Sequence, residues 1–113
     1  MVDIKLNKIP VWNETVVLEA IQKPTEANEE IKIPYDEADN KLVLIISNSG
    51  NAATATVKTG EMPMSGSEDT VLTIPANKSV AIALESGKYK KKDGCVHIIA
   101  SATTLGFQLI AMP

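Results

Sequence analysis

The sequence predicts an all-β fold, an antiparallel β-sandwich of about eight short strands with an Ig-like or jelly-roll-like arrangement. β-branched residues dominate: the 113 residues include twelve Ile, nine Val and nine Thr, but only four aromatic residues, and this balance favours strands over helices. Short alternating apolar segments recur at intervals of roughly 8–12 residues between turn residues, as in sandwiches and barrels. No segment predicts a helix longer than two turns.

The chain has the length of one domain, and we divide it into an N-terminal arm, residues 1–13, and a sandwich, residues 14–113. Ile4 and Leu6 alternate with lysines in the arm, and Pro10 interrupts any regular element, which predicts an extended arm or an edge strand. Trp12 lies at its end. A tryptophan in this position either packs onto the core or anchors a partner.

Three strands are expected before residue 50. Residues 15–22 (TVVLEAIQ) have strand propensity but could also open a helix, and Pro24 ends either element. Residues 29–33 alternate, with Ile31 and Ile33 on one face. Residues 41–48 (KLVLIISN) form a continuous apolar run, which predicts a central strand buried on both faces.

The rest of the chain predicts two hairpins and two closing strands. Residues 41–48 pair with 52–59 through an Asn-rich turn, and residues 70–75 pair with 79–85. Residues 60–69 are the longest loop, and residues 85–94 (ESGKYKKKDG) form a basic turn. Alternation resumes in CVHIIA (95–100) and GFQLIAM (106–112), with Phe107 and Leu109 sharing one face.

The charge pattern limits the partners. Eleven Lys, no Arg and fourteen acidic residues give a net charge of −3, which excludes a strongly basic nucleic-acid module because such proteins need a positive field and usually bidentate Arg contacts. Residues 1–39 carry a balance of −5 and residues 40–113 a balance of +2. This asymmetry either orients the protein against a partner or is an ordinary solvated surface.

Targeting and redox features are sparse. No apolar run exceeds five residues, so no spanning helix and no membrane partner are expected. The first residues lack the basic start and apolar core of a signal peptide. Cys95 is the single cysteine, which excludes an intrachain disulfide. We therefore expect synthesis in a reducing cytoplasm.

Candidate catalytic groups are few. Cys95 and His97 are two residues apart in a strand, so their side chains share a face and could begin a thiolate–imidazole couple or half of a zinc site. A zinc site needs further ligands, and the chain has no other Cys or His. The acidic loop around Asp36 and Asp39 lacks the spacing of a calcium loop. We predict no catalytic residue, no metal and no cofactor.

The C-terminal two thirds resemble a known group. The progression runs from LVLIISNSGNAATATV through LTIPANKS and ALESGKYK to Asp93-Gly94-Cys95-Val96-His97-Ile98 and SATTLGFQLIAMP. This pattern of turns and core strands resembles small proteins that tailed bacteriophages and prophages encode near the coat-protein gene, capsid decoration or head-auxiliary proteins. It covers roughly residues 40–113. The turn after Pro75 reads Ala-Asn-Lys where the group has Ala-Gly.

The resemblance implies a virion structural protein, made in the host bacterial cytoplasm, that binds the major coat protein lattice on the outside of the head and stabilises it. It also implies a homo-oligomer, since trimers are common in the group. For this function we expect partner contacts from the arm, the loop and the basic turn, namely Trp12, Met62, Met64, Lys88, Tyr89, Lys90, Lys91 and Lys92. The alternative is a phage fibre, tail or adhesion β-sandwich that recognises a host-surface glycan.

Overall fold

The computed structural model describes residues 1–61 and 68–113. Over these residues the chain forms nine strands, a single 3₁₀ turn (Asp39–Lys41) and one turn of helix, α1 (Ser86–Tyr89). The strands are β1 (Val2–Asp3), β2 (Leu6–Lys8), β3 (Glu29–Pro34), β4 (Leu42–Asn48), β5 (Ala53–Val57), β6 (Thr70–Ile74), β7 (Ser79–Ile82), β8 (Cys95–Ala100) and β9 (Leu105–Ala111).

The strands form two packed sheets, which confirms the predicted β-sandwich. The first sheet has the order β1-β3-β8-β5-β6, and the second has the order β2-β9-β4-β7. In the described residues, every strand-to-strand connection except β5–β6 carries the chain from one sheet to the other. This alternation gives a jelly-roll-like order. The β1–β3 and β2–β9 pairs are parallel, unlike the predicted antiparallel pattern, and the other pairs are antiparallel.

Both predicted hairpins are wrong. β4 and β5 lie in opposite sheets, as do β6 and β7, so the turns between them cross the sandwich. β4 pairs instead with β7 and β9, and β5 pairs with β6 and β8. A hairpin and a crossing turn leave the same alternation in the flanking strands, because both sheets bury one face of each strand.

β4 is an inner strand of its sheet, but it is not buried on both faces. Leu42, Leu44 and Ile46 are buried, whereas Val43 and Ile45 are only half-buried. No helix covers the outer face of this sheet within the described residues, so the continuous apolar run reflects one core face and one half-exposed apolar face.

The first residues of the N-terminal arm join both sheets. β1 pairs with β3 in the first sheet, and β2 pairs with β9 in the second. Between them, the buried Ile4 packs into the core, and its amide donates to the Lys32 carbonyl over 2.9 Å. Residues 15–22 form neither the strand nor the helix that the sequence allowed, apart from one bridge between Gln22 and Phe107.

One apolar core fills the space between the sheets. It is built mainly from inward-facing Ile, Leu, Val and Ala, with Phe107 and Tyr35 as its largest members. Residues 105, 107, 109 and 111 of β9 are fully buried. The predicted shared face of Phe107 and Leu109 is confirmed.

Tyr35 ties the end of β3 to the chain that follows β7. Its hydroxyl donates to the Leu84 carbonyl over 2.8 Å and accepts the Leu84 amide over 3.0 Å. Tyr35 is fully buried and Leu84 is buried, so water cannot replace either bond. Burial raises the pKa of the Tyr35 phenol, which keeps this donor protonated.

We predict that Tyr35→Phe lowers the free energy of unfolding by about 1–3 kcal/mol, because it leaves a buried amide and a buried carbonyl without partners. Urea denaturation measures the change. Tyr89→Phe is the matched control, because that hydroxyl contacts the Thr70 hydroxyl, which can rotate toward another partner. An equal loss in both variants would contradict the assigned role of Tyr35.

Asn48 holds two crossing turns together at the end of β4. Its side-chain amide donates to the carbonyls of Asn51 (2.8 Å) and Ile74 (3.2 Å), and its side-chain oxygen accepts the Gly50 amide over 3.0 Å. The Asn48 backbone amide donates to the Lys78 carbonyl over 2.9 Å. The turn from β4 to β5 is thereby bound to the turn from β6 to β7.

We predict that Asn48→Asp destabilises the fold by at least about 2 kcal/mol, because a buried carboxylate would face two carbonyl oxygens and lose both donors. Asn51→Asp, at an exposed position in the same turn, should change stability by less than about 0.5 kcal/mol. Thermal unfolding of the two variants distinguishes a specific role of the Asn48 amide from general sensitivity of the turn.

Candidate functional site

An exposed apolar segment, residues 11–21, runs between β2 and β3. Val11, Trp12, Leu18 and Ile21 are 45–71% exposed, and Val17 is 92% exposed. The Trp12 side chain is 71% exposed, so it does not pack into the core. These five large exposed apolar side chains lie within eleven residues of the chain, and a concentration of exposed apolar surface is typical of an interaction site.

The exposed segment is fixed to the sandwich near its C-terminal end. The buried side chain of Asn7 donates to the Leu109 carbonyl (3.0 Å) and accepts the Glu19 amide (2.7 Å). Ile21 lies against Gly106 in β9, where a Cβ atom would overlap the Ile21 methyl group. These contacts place the segment beside β2 and β9.

The exposed segment is apolar and mildly acidic. It contains no lysine, and its two charged residues, Glu14 and Glu19, are both exposed. The positive turn expected in residues 88–92 belongs to the β7–β8 connection, a different part of the chain. The two features therefore offer chemically distinct surfaces.

The basic turn matches the sequence interpretation only in part. Lys88 and Lys92 are exposed, and Lys90 and Lys91 are half-buried. Tyr89 is wrong as an exposed partner contact, because α1 turns its ring inward to 7% exposure and its hydroxyl lies 2.7 Å from the Thr70 hydroxyl. The Lys88 ammonium lies 5.3 Å from the Tyr89 ring centre, in cation–π range.

The two methionines predicted to contact a partner, Met62 and Met64, lie outside the described residues. The parts of the loop on either side of them are held by ion-pair and amide contacts. Lys58 lies 2.8 Å from Asp69, and the Lys92 amide donates to Glu61 over 3.2 Å.

A shallow groove lies between β6 and β7, where the two sheets present their edges. Its volume is about 290 Å³, and it is lined by uncharged side chains, namely Val71, Leu72, Thr73, Val80, Ala81 and Ile82. Leu72, Val80 and Ile82 pack against the core. The groove is thus an apolar opening of the sandwich edge without titratable groups among its lining residues.

His97 lies between two carboxylates on the outer face of the first sheet. Its Nδ1 contacts Glu30 on β3, and its Nε2 lies 2.7 Å from Asp93 in the turn before β8. His97 is 7% exposed. Both ring nitrogens therefore face carboxylate oxygens. Lys32 adds a positive charge 3.6 Å from Asp93.

Cys95 shares the outer face with His97, as the spacing predicted, but its environment does not activate the thiol. Burial raises the pKa of the Cys95 thiol, and the Asp93 charge raises it further. A neutral thiol is a poor nucleophile and a poor metal ligand. The Glu30–His97–Asp93 cluster joins β3 to the start of β8. The spacing in the sequence indicates His97 beside Cys95 but does not indicate its two carboxylate partners.

Asp93 is stabilised in its ionised form. Partial burial would raise its pKa, but hydrogen bonds from the Cys95 amide and His97, together with the charges of His97 and Lys32, hold the pKa below its ordinary value. A lowered pKa in the folded state means that the carboxylate stabilises the fold above about pH 4 and loses this contribution as the pH falls further.

We predict that Asp93→Asn lowers the free energy of unfolding at pH 6, and that the difference from the unmodified protein shrinks as the pH falls below about 4. Urea titrations at several pH values measure this. Glu14→Gln is the control, because Glu14 is exposed and forms no ion pair among the described residues. A difference that stays constant with pH would contradict the role assigned to Asp93.

Within residues 1–61 and 68–113, no group of three or more His, Cys, Asp and Glu side chains is arranged to hold a metal ion. In the same residues, no helix is long and apolar enough to cross a membrane. No family model, curated protein or solved structure matches the chain.

Proposed function

We propose that this protein is a bacteriophage capsid decoration protein, a non-enzymatic virion component that binds the outer surface of the head and stabilises it. The observation that carries the proposal is the exposed segment, residues 11–21, with five large apolar side chains in water. Burial of this segment against a coat lattice would remove that apolar surface from water.

The sandwich suits a binding role that demands rigidity. Its core spans both sheets, and buried hydrogen bonds at Tyr35 and Asn48 fix the connections between them. The exposed segment adds little to that core, so it is available for a partner. An exposed tryptophan on a rigid support is a typical interface anchor, since its large ring loses little conformational freedom on binding.

A second surface contributes charge. Lys88 and Lys92 are exposed on the β7–β8 connection, and they complement acidic groups of a coat subunit as point charges. Surface charges of this kind affect the association rate and the orientation more than the affinity. We assign the affinity to the apolar segment and the orientation to the lysines.

The glycan-binding alternative is less well supported. Sugar recognition commonly uses exposed aromatic platforms. Three of the four aromatic residues, Tyr35, Tyr89 and Phe107, are buried, which leaves Trp12. A glycan array with binding abolished by Trp12→Ala would favour this alternative over the capsid.

The direct test adds the purified protein to expanded heads of the cognate phage that lack it. We expect saturable binding and a higher temperature of head disruption. Failure to bind any expanded head would contradict the proposal.

We predict that Trp12→Ala weakens head binding by at least about 30-fold, the effect of losing an interface hot spot, while the free energy of unfolding changes by less than about 0.5 kcal/mol. Val71→Ser, at a residue 60% exposed on β6, is the matched control and should leave binding unchanged. Equal losses of binding and folding in Trp12→Ala would assign Trp12 to the fold.

A further inference from the structure

Two segments of the chain can pair with the same edge of β9. β2 occupies that edge in parallel, with Leu6 opposite Leu109 and Lys8 opposite Ala111. Gln22 forms an antiparallel bridge to Phe107 on the same edge, through amide–carbonyl bonds of 3.3 and 2.9 Å. Extension of this bridge by two-residue steps places Ala20 opposite Leu109 and Leu18 opposite Ala111.

We propose that residues 18–22 are a second edge strand for the β2-β9-β4-β7 sheet, held off β9 by β2. When β2 leaves, residues 18–22 pair antiparallel with residues 107–111 and close the edge. β2 can then leave β9 without leaving that edge unpaired. This inference concerns the fold alone and does not depend on the proposed function.

The side-chain directions suit the exchange. Phe107, Leu109 and Ala111 are fully buried, and directly opposed residues in a sheet share a face. The extended pairing would therefore turn Ala20 and Leu18 toward the core. Leu18 would take the position opposite Ala111 that the charged Lys8 now holds. Lys8 is exposed there and forms an ion pair with Glu37, which the exchange would break.

The present arrangement leaves residues 18–22 incompletely paired. Leu18 is 47% exposed, and within the described residues the amides of Leu18 and Ala20 donate no hydrogen bond. Thr15, Val16 and Val17, which have high strand propensity, directly precede residues 18–22, and Ile21 is the β-branched residue within them. Residues 18–22 therefore have amides ready for a strand partner, but only the bridge at Gln22 is paired.

β2 is a weak occupant of the edge. It spans three residues, and the adjoining β1 spans two. β1 pairs with β3 and β2 pairs with β9, each in parallel. Parallel pairing is slightly less stable per residue than antiparallel pairing. Asn7 is the buried residue of β2. Its side chain donates to the Leu109 carbonyl of β9 and accepts the Glu19 amide of the competing segment. Loss of the Asn7 side chain would remove one contact of β2 with β9 and one with residue 19.

Hydrogen exchange followed by NMR on the full-length chain tests the proposal. Asn7→Pro removes the Asn7 side chain and a β2 amide. We expect the Leu18 and Ala20 amides, which exchange rapidly in the unmodified protein, to gain at least about tenfold protection in this variant. Thr15→Pro is the control, because it places the same residue in the exposed segment outside both pairings, and it should give no protection.

Ile9→Pro gives a milder second test, because it removes the bond from the Ile9 amide to the Ala111 carbonyl (2.9 Å) and keeps Asn7. It should protect the same two amides partially. If Asn7→Pro does not fold, Ile9→Pro decides the question. Unprotected Leu18 and Ala20 amides in every folded variant would overturn the proposal.

A proline at position 20 separates edge replacement from simple fraying. In the unmodified protein, Ala20 is exposed and Ala20→Pro should change the unfolding equilibrium constant by less than about threefold. In the Asn7→Pro background, Ala20→Pro removes a hydrogen bond of the new strand pair. It should then change the unfolding equilibrium constant by more than about tenfold. Equal effects in the two backgrounds would overturn the proposal.

Discussion

The sandwich depends on buried side-chain hydrogen bonds at the points where the chain leaves one sheet for the other. Most connections between the described strands carry the chain from one sheet to the other, and a buried side chain that bonds to the backbone lies at several of these crossings. Tyr35 satisfies Leu84 after β7, and Asn48 satisfies the turns after β4 and β6. Burial of the apolar side chains drives folding. Tyr35 and Asn48 provide hydrogen bonds to backbone groups that this burial removes from water.

The same requirement accounts for Asn7. Asn7 belongs to the arm and lies where the arm meets β9 and the exposed segment. Its buried side-chain amide bonds to the backbone of both β9 and the exposed segment. The three residues share a design in which a polar side chain reaches from one strand end to the backbone of another element.

Local patterns predicted strands well and strand partners poorly. The alternation of Ile31 with Ile33, and of Phe107 with Leu109, placed β3 and β9 correctly, because a period of two depends only on a core on one side. The pairing of β4 with β9 joins residues about sixty positions apart, and nothing in LVLIISN specifies it. Residues 15–22 have the propensity of a strand, but β2 occupies the edge that they would need.

The candidate sites show the same limit. The exposure of Trp12 and the burial of Tyr89 depend on how the chain turns after β2 and within α1. Tyr89 stands among four lysines in the sequence, which suggested a solvated turn, yet α1 directs its ring toward the core. The spacing of Cys95 and His97 correctly predicted that they share a face. It could not predict the contact with Glu30, which reaches His97 from β3, 67 positions earlier in the chain.

The separation of the exposed segment from the core has an evolutionary consequence. Substitutions at positions such as 12 and 17 alter the surface but remove almost no buried contact, so selection on folding constrains them weakly. The crossing residues are constrained strongly, since each one serves two elements. Descendants of one ancestor could therefore keep this sandwich while their exposed segments diverge, and sequence similarity among them would be lost first in residues 11–21.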